Sequence, residues 1–195
     1  GNRVWFDANN NGIMDAGEAA APGVSVSVFA ATAAGAPTGA PIATVTTDST
    51  GRYRFDGLLA GDYVVVVNAS NWATGGVLRG YASSGTTANS ATNTVDSRDN
   101  GIDSLTPATT GILSGKITVG ASTTFPAAED QTAPNIAGAI GGAGGDAGDA
   151  ANNLTIDFGF YKVTVGDQLW VEAGGGATTF TSGTDLTPAA VQSKP

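Results

Sequence analysis

Short stretches of strand-forming residues recur along this chain, and turn sequences separate them. Residues 24–28 read VSVSV, and residues 62–68 read DYVVVVN. A two-residue period marks a half-buried β-strand, whereas an unbroken run of β-branched residues marks a buried one. The 29 glycines and eight prolines supply turns between strands. We therefore expect an all-β protein of seven or so short strands, packed as a sandwich with long loops.

The expected strands can be placed along the chain from these patterns. They cover residues 1–6, 24–28, 42–47, 52–55, 62–68, 112–119 and 154–160. The turn sequence DSTG at residues 48–51 predicts a β-hairpin between the third and fourth of these strands. Small residues at 30–41 predict a loop, and the glycine-rich stretch 137–151 predicts a low-complexity surface loop.

The charge and the missing residue types exclude several classes of function. The net charge is −9, from 17 acidic and 8 basic residues, which disfavours nucleic acid as a partner and suits bound cations. The chain has no cysteine and no histidine, so thiolate chemistry and the commonest general base are absent. No stretch approaches the ~20 apolar residues of a membrane-spanning helix. We therefore predict a protein that is not an enzyme and does not insert into a membrane.

One motif carries a specific chemistry. Residues 7–18, DANNNGIMDAGE, fit the calcium-loop pattern D-x-[DN]-x-[DN]-G-x5-E at every specified position, and we call them the first acidic loop. Calcium takes six to eight oxygen ligands, so the chain must wrap around one point, and Gly12 permits the sharp turn. The predicted ligands are the side chains of Asp7, Asn9, Asn11, Asp15 and Glu18 and the backbone carbonyl of Ile13.

The alternative interpretation of this loop is a solvated turn whose Asn and Asp side chains cap their own backbone. The flanking residues separate the loop from a helix-loop-helix calcium sensor. An aromatic strand precedes it, and Pro22 and Gly23 follow it. The sequence therefore predicts a calcium loop between two strands.

A second group of acids follows at residues 96–103, which we call the second acidic segment. Its candidate cation ligands are Asp96, Asp99, Asn100 and Asp103, arranged around a glycine in a looser pattern. An ordinary turn capped by these side chains is the alternative. Three isolated acids, Asp48, Asp62 and Asp157, are expected to be turn or hairpin residues unless the fold brings them to a site.

Taken together and in order, these motifs resemble the SdrD B-like domains, the calcium-binding B-type repeats of serine-aspartate-repeat surface proteins. The resemblance is carried by GNRVWFDANNNGIMDAGE, PGVSVSVF, TTDSTGRYRFDGLLAGDYVVVV, VDSRDNGID and NLTIDFGFY. It implies a Greek-key, prealbumin-like or Ig-like β-sandwich that is secreted or displayed on the bacterial cell surface. It also implies bound Ca²⁺, with ligands in both acidic stretches. Related collagen-adhesin B-type domains carry a Lys–Asn cross-link, which we do not expect here because the first strand has Arg3 and no lysine.

The resemblance places one domain at residues 1–162. Residues 165–170, VGDQLW, repeat the order of small, polar, aliphatic and Trp residues in GNRVW at residues 1–5. Residues 163–195 are therefore predicted to be a linker or the start of a next repeat. A strand donated from this tail to a neighbouring subunit is a further possibility.

Two functions from different classes follow. The first is a calcium-stabilised structural module of a surface stalk or self-assembling filament, whose partners are copies of itself or neighbouring repeats. The alternative is a ligand-binding adhesin domain, in which Trp72, Tyr81 and the stretch 69–93 contact a host or matrix protein or a glycan.

Overall fold

Nine β-strands in two sheets make up most of the regular structure that the computed structural model describes, which covers residues 3–85, 96–120 and 153–164. The all-β sandwich expected from the sequence is confirmed. Neither of the two short helices in these ranges could span a membrane. The strands are β1 (Val4–Phe6), β2 (Ala19–Ala20), β3 (Ser25–Ala31), β4 (Pro37–Thr46), β5 (Gly61–Val67), β6 (Tyr81–Ser83), β7 (Ile112–Leu113), β8 (Ile117–Val119) and β9 (Phe158–Lys162), and the helices are a 3-10 helix (Ala69–Trp72) and α1 (Pro107–Thr110).

The first sheet has the strand order β2-β1-β9-β6, and the second has the order β4-β3-β5-β7, with β8 also paired to β5. Most neighbouring strands are antiparallel. The exception is the pair β1 and β9, which run parallel with Val4 opposite Phe158 and Phe6 opposite Phe160. The first and last strands of this unit are therefore direct neighbours.

An apolar core joins the two sheets. The first sheet contributes Val4, Phe158 and Phe160, and the second contributes inward-facing valines of β3 and β5. Tyr53 lies fully buried in the same cluster, and its hydroxyl donates a hydrogen bond to the Ile156 carbonyl. Each buried Val or Phe side chain contributes about 1.5–3 kcal/mol relative to an exposed one, so this cluster is the main source of stability.

Strand β5 is buried on both faces. Val65 and Val67 belong to the core, whereas Val64 and Val66 point the other way and are also buried. The run of four valines is thus explained by burial on two sides, which favours β-branched residues at every position.

The predicted hairpin after residue 47 is wrong. The turn at residues 48–51 forms, but residues 52–55 do not form a strand, and β4 pairs with β3 instead. Arg52 forms an isolated bridge with Arg3 in the region of the other sheet. Gly51 has a φ of 76°, and its carbonyl accepts a hydrogen bond from the Val4 N–H at 2.8 Å. The chain therefore crosses from one sheet to the other at this glycine.

Three further strand predictions need correction. The expected loop 30–41 contains the end of β3 and the start of β4, which pair across a register shift between Val28 and Ala30. The expected strand 112–119 is broken into β7 and β8, and that of 154–160 becomes regular only at Phe158. In the first case strand pairing extends into a segment predicted as a loop, and in the other two irregular backbone interrupts a segment predicted as one strand.

The chain divides into two units, Gly1–Val163 and Thr164–Pro195. All the described strands belong to the first. The predicted boundary after residue 162 stays a prediction. The glycine-rich stretch 137–151, the VGDQLW repeat and the tail beyond residue 164 lie outside the described residues.

Candidate metal centre

The first acidic loop connects β1 to β2, and strand pairing closes it at its base. Phe6 pairs with Ala19, the residue after the loop, in the antiparallel ladder of the two strands. At the other side, the Asp7 N–H donates a hydrogen bond to the Phe160 carbonyl at 2.9 Å. The first residue of the loop is thereby fixed to β9, and its side chain is almost fully buried.

The Asp7 carboxylate organises the turn inside the loop. One oxygen accepts a hydrogen bond from the Gly12 N–H at 2.8 Å, and the other accepts one from the Asn11 N–H at 3.3 Å. Gly12 has a φ of 67° and Asn10 a φ of 55°, both in the left-handed region that glycine and asparagine adopt most readily. The glycine at this position therefore matches the bend that the motif requires.

Three predicted ligands meet at one atom. The side-chain amides of Asn9 and Asn11 both donate hydrogen bonds to Oδ2 of Asp15, each at 2.8 Å. These bonds, that of Asn9 first, lower the pKa of the Asp15 carboxyl, because they stabilise its ionised form. The side chains of loop positions three, five and nine are therefore already gathered around one point.

Glu18 closes the loop from its last position. Its Oε1 accepts a hydrogen bond from the Ala8 N–H at 2.8 Å, and its Oε2 accepts one from the Asp15 N–H at 3.1 Å. Both oxygens of the carboxylate thus face the interior of the loop backbone. Among the residues that the structure describes, no three His, Cys, Asp or Glu side chains form a group that could hold a metal ion. The candidate ligand set of the loop therefore has to include the carboxamides of Asn9 and Asn11.

The two acidic stretches are joined by a short piece of antiparallel ladder. Ile13 and Arg98 form an isolated bridge. Its hydrogen bonds run from the Met14 N–H to the Ser97 carbonyl and from the Asp99 N–H to the Gly12 carbonyl. These bonds lie on either side of Ile13, so they do not use the Ile13 carbonyl that the sequence predicts as a ligand.

The candidate ligands of the second acidic segment point in different directions. Asn100 is buried, and its Oδ1 accepts a hydrogen bond from the Asp157 N–H at 2.7 Å. Asp96 lies close enough to Asp157 to raise the pKa of that buried carboxyl, although burial itself is the larger cause. Burial raises the pKa of the Asp99 carboxyl, and the charge of Asp103 adds to that rise. Among the described residues Asp96, Asp99 and Asp103 do not form a three-acid cluster, and Asn100 holds the backbone at Asp157.

The buried carboxylate of Asp99 has hydrogen-bond donors at only one of its two oxygens among the described residues. Its Oδ1 accepts hydrogen bonds from the N–H groups of Gly101 and Gly159, but its Oδ2 is buried and finds no partner among the described residues. Burial raises the pKa of this carboxyl well above its ordinary value, and the charges of Asp103 and Asp7 add to the effect. A buried carboxylate oxygen without a donor implies a bound water, ion or proton.

Asp157 is the residue whose role the sequence did not reveal. Its Oδ1 accepts a hydrogen bond from the Arg3 N–H at 2.9 Å, and its Oδ2 accepts one from the Ser97 N–H at 2.8 Å. One fully buried side chain thus connects β1 and the second acidic segment to the entry of β9. Only its position within an otherwise apolar stretch, LTIDFGF, could have indicated this role.

A groove of about 450 Å³ lies beside the first acidic loop. Phe6, Tyr81 and Tyr161 contribute aromatic side chains to its wall, and Asn10 and Glu18 contribute polar ones. The rings of Phe6 and Tyr81 stack with 4.8 Å between their centroids. Trp72 is not part of this wall, because it packs edge-on against Phe160 and its indole N–H donates a hydrogen bond to the Tyr81 carbonyl.

Comparison with known proteins adds a family match. The family model described as SdrD B-like domain matches residues 1–119. A serine-aspartate repeat-containing protein F of Staphylococcus epidermidis is 33% identical over 174 residues, which cover 87% of this chain and 7% of that protein. Colossin-B of Dictyostelium discoideum is 44% identical over 73 residues (33% of this chain, 2% of that protein), and a fibrinogen-binding protein of Staphylococcus epidermidis is 40% identical over 65 residues (33% and 5%). The chain thus spans a small part of each relative.

Proposed function

Since the chain belongs to the SdrD B-like domain family, we propose that it is a calcium-stabilised structural module in a stalk or filament at the bacterial cell surface. The family is one of surface repeat domains and is not an enzyme family. The observation that carries the proposal is the convergence of Asn9 and Asn11 on the Asp15 carboxylate. This convergence supports the proposal because it brings three of the six predicted ligands to one point.

The donor set of the loop fits calcium. The candidate groups are carboxylate, carboxamide and carbonyl oxygens, the ligands that Ca²⁺ prefers. The nitrogen and oxygen of an asparagine side chain have nearly the same shape, so a half-turn of each carboxamide replaces the donor beside Asp15 with an oxygen. The ion would then be held by the side chains of Asp7, Asn9, Asn11, Asp15 and Glu18 and by the Ile13 carbonyl, and it would supply positive charge.

Calcium binding at this position would stabilise the sandwich as a whole. The loop ends in two paired strands, and Asp7 is bonded to β9, so order in the loop is transmitted to the first sheet. A ligand that binds only the folded chain adds its binding free energy to stability, about 2.7 kcal/mol at a free concentration 100 times Kd. Because the chain has no disulfides, bound calcium would serve as the cross-link that holds the loop to the first sheet.

A second cation would be held at Asp99 and Asp103. The supporting observation is the buried Oδ2 of Asp99, which lacks a hydrogen-bond donor among the described residues. Charge compensation there would remove the repulsion between Asp99 and its acidic neighbours. Asn100 is a weaker candidate, since its Oδ1 already accepts a hydrogen bond from Asp157.

The groove beside the loop favours a second candidate function, an adhesin that binds a host or matrix ligand. Its aromatic wall is the kind of surface that binds protein side chains and sugars. One relative carries the name fibrinogen-binding protein, which supports this class of partner. The variant Tyr81→Ala tests it, because loss of binding to immobilised matrix proteins with unchanged calcium response would separate adhesion from the structural role.

The first experiment is thermal unfolding of the full chain in calcium and in excess EDTA, followed by light scattering under both conditions. A large fall in Tm on chelation supports the calcium-stabilised module. Calcium-dependent growth in particle size supports assembly with copies of itself, the filament form of the proposal. An unchanged Tm would reject calcium as the stabilising ligand and leave the adhesin as the better hypothesis.

A further inference from the structure

The chain contains two Asn-Gly pairs, Asn11-Gly12 and Asn100-Gly101, and each lies in one of the two acidic stretches. This dipeptide is chemically labile, because glycine has no side chain to shield its amide nitrogen from the carboxamide carbon before it. The reaction needs that nitrogen and that carbon to meet. Hydrogen bonds in the folded chain can prevent this contact.

The chemistry is intramolecular and needs only water. The backbone nitrogen of the glycine loses its proton and attacks Cγ of the asparagine, and a new N–Cγ bond closes a five-membered succinimide. The Cγ–Nδ2 bond breaks, and the side-chain nitrogen takes up the proton and leaves as ammonia. Water then opens the ring at one of its two carbonyls, giving aspartate or isoaspartate. The net change is the replacement of NH₃ by H₂O.

Both pairs are blocked in the folded protein in the same way. The Gly12 N–H is donated to Oδ2 of Asp7 at 2.8 Å. In the second pair the Gly101 N–H is donated to Oδ1 of Asp99 at 3.0 Å. An N–H directed at a carboxylate is a poor nucleophile, because its proton is held by a negative charge.

The hydrogen bonds that protect the two Asn-Gly pairs from deamidation differ in how far along the chain their partners lie. The acceptor of the Gly12 N–H lies within the first acidic loop, so the first block lasts only while that loop keeps its shape. Asn100 is fully buried, and its Oδ1 is held by Asp157 at the entry of β9, 57 positions along the chain. The Gly101 N–H bond to Asp99 spans only two residues, so the second pair differs from the first in the long-range hold on its buried carboxamide.

From this difference we propose that Asn11 is a deamidation site that opens when the first acidic loop loses its cation, while Asn100, whose buried carboxamide is bonded to Asp157, loses much less of its protection. The inference rests on the proposed function in one respect, that a cation holds the loop closed. The fraction of molecules with deamidated Asn11 then increases irreversibly with the time that the protein spends without calcium. Local opening of a surface loop requires much less free energy than unfolding of the core, so the two sites age at different rates.

The two products affect the loop differently. Aspartate at position 11 keeps a side-chain oxygen at a position where the calcium-loop pattern accepts Asp or Asn, so it remains a ligand. Isoaspartate adds a methylene to the main chain just before Gly12. That insertion displaces the Gly12 N–H from Asp7 and the Ile13 carbonyl from the loop interior. Molecules that carry isoaspartate have therefore lost the calcium response.

The test measures deamidation at both sites in the same molecule. The full chain is incubated in saturating calcium, in EDTA and in urea, and peptide mapping by mass spectrometry with isoaspartate-specific methylation gives the rate at each site. The rate in urea is the reference for an unprotected chain. In EDTA we expect protection at Asn11 to fall at least about tenfold more than protection at Asn100. The variant Asn11→Asp lacks the carboxamide, and its calcium response should not decline during incubation.

Two results would overturn the inference. Equal loss of protection at both sites on chelation, including loss through unfolding of the whole domain, would mean that the loop does not open locally. Protection at Asn11 that is the same in calcium and EDTA, with a Tm that calcium still raises, would mean that the bound cation does not control this site. A Tm that calcium leaves unchanged is the separate failure of the proposed function.

Discussion

The backbone N–H of Asp99 donates a hydrogen bond to the carbonyl of Gly12 at 2.9 Å. This bond and its neighbour, from the Met14 N–H to the Ser97 carbonyl at 3.0 Å, are the direct backbone link between the first acidic loop and the second acidic segment. Two stretches that are far apart in sequence therefore share one element of regular structure, and a change in one is felt in the other.

Calcium removal should loosen this link. We expect hydrogen exchange of the Asp99 amide to accelerate at least about tenfold in EDTA, because opening of the loop withdraws its acceptor. Exchange by mass spectrometry on peptides that cover residues 96–103 measures the effect. Peptides from β5, whose residues pair inside the second sheet, serve as the internal control. Identical exchange of the segment with and without calcium would contradict the coupling.

The variant Glu18→Gln should weaken calcium binding with a small effect on the calcium-free chain. Glutamine keeps one acceptor for the Ala8 N–H and loses only the longer bond from the Asp15 N–H, but it also loses the charge and the second oxygen that can bind the ion. We expect at least a tenfold loss of affinity, about 1.4 kcal/mol, in isothermal titration calorimetry. Asp62→Asn is the matched control, since Asp62 bonds Lys116 and Thr118 on the surface. A control that loses as much affinity as Glu18→Gln would reject the assignment.

The variant Asp99→Asn should stabilise the calcium-free protein and reduce its gain from calcium. Burial raises the pKa of Asp99, so the ionised form is unfavourable in the folded chain unless a cation compensates it. Asparagine keeps the Oδ1 that accepts the Gly101 and Gly159 N–H groups and carries no charge. A higher Tm in EDTA together with a smaller rise in calcium is the expected pair of results. A lower Tm in EDTA would show that the charge is already compensated.

The same residue predicts a pH dependence with a definite sign. An unfolded Asp titrates near pH 3.9, and the folded Asp99 titrates higher. Between these two values the folded chain holds a proton that the unfolded chain has lost. The contribution of Asp99 to stability in EDTA therefore falls as pH rises through this window, by about 1.4 kcal/mol per unit of pKa difference. Urea unfolding from acid to neutral pH should show a shallower fall in Asp99→Asn than in the parent.

Asp157→Ala should destabilise the protein with or without calcium. The substitution leaves the part-buried N–H groups of Arg3 and Ser97 without the Asp157 acceptor, at about 1–3 kcal/mol for each donor that stays unpaired away from water. Chemical denaturation in both buffers measures the loss. Asp62→Ala removes a carboxylate of the same size from the surface and should cost less than about 1 kcal/mol. Equal effects of the two substitutions would contradict the role given to Asp157.

Gly159→Ala tests the packing of β9 against β1. A Cβ at this position would lie 2.7 Å from the Trp5 ring and 2.9 Å from the Ser84 hydroxyl, so we expect a loss of about 1–3 kcal/mol from overpacking. Gly61→Ala is the control, because a Cβ there meets Tyr63 at 3.6 Å, an ordinary contact. A neutral Gly159→Ala would mean that the two strands can separate without loss.

The sequence predicted what local chemistry determines. The twelve-residue pattern located the first acidic loop between strands, since the spacing of oxygen-bearing side chains is a property of the loop alone. The valines of β3 and β5 were predicted as strands because side-chain branching and period act within a few residues. The number of short strands and turns predicted the sandwich, and the family resemblance implied the same architecture.

What the sequence left open depends on contacts across the chain. Asp157 bonds the backbone of Arg3 across 154 positions, and no local pattern encodes that distance. The turn after residue 47 was identified, but its direction depends on the approach of Gly51 to Val4 in the other sheet. In the second acidic segment, spacing alone grouped Asn100 with Asp99, although the fold turns them toward different partners.

The parallel pairing of β1 and β9 has a mechanical consequence. The chain enters the unit along β1 and leaves it along β9 in the same direction, so tension between the two ends pulls these strands in opposite senses along their length. The three residue pairs from Val4 and Phe158 to Phe6 and Phe160 then bear the load together, in shear, and do not open one after another. The Asp7 N–H bonds the Phe160 carbonyl at the last of these three pairs. The first acidic loop therefore begins directly beside the strands that would carry the load.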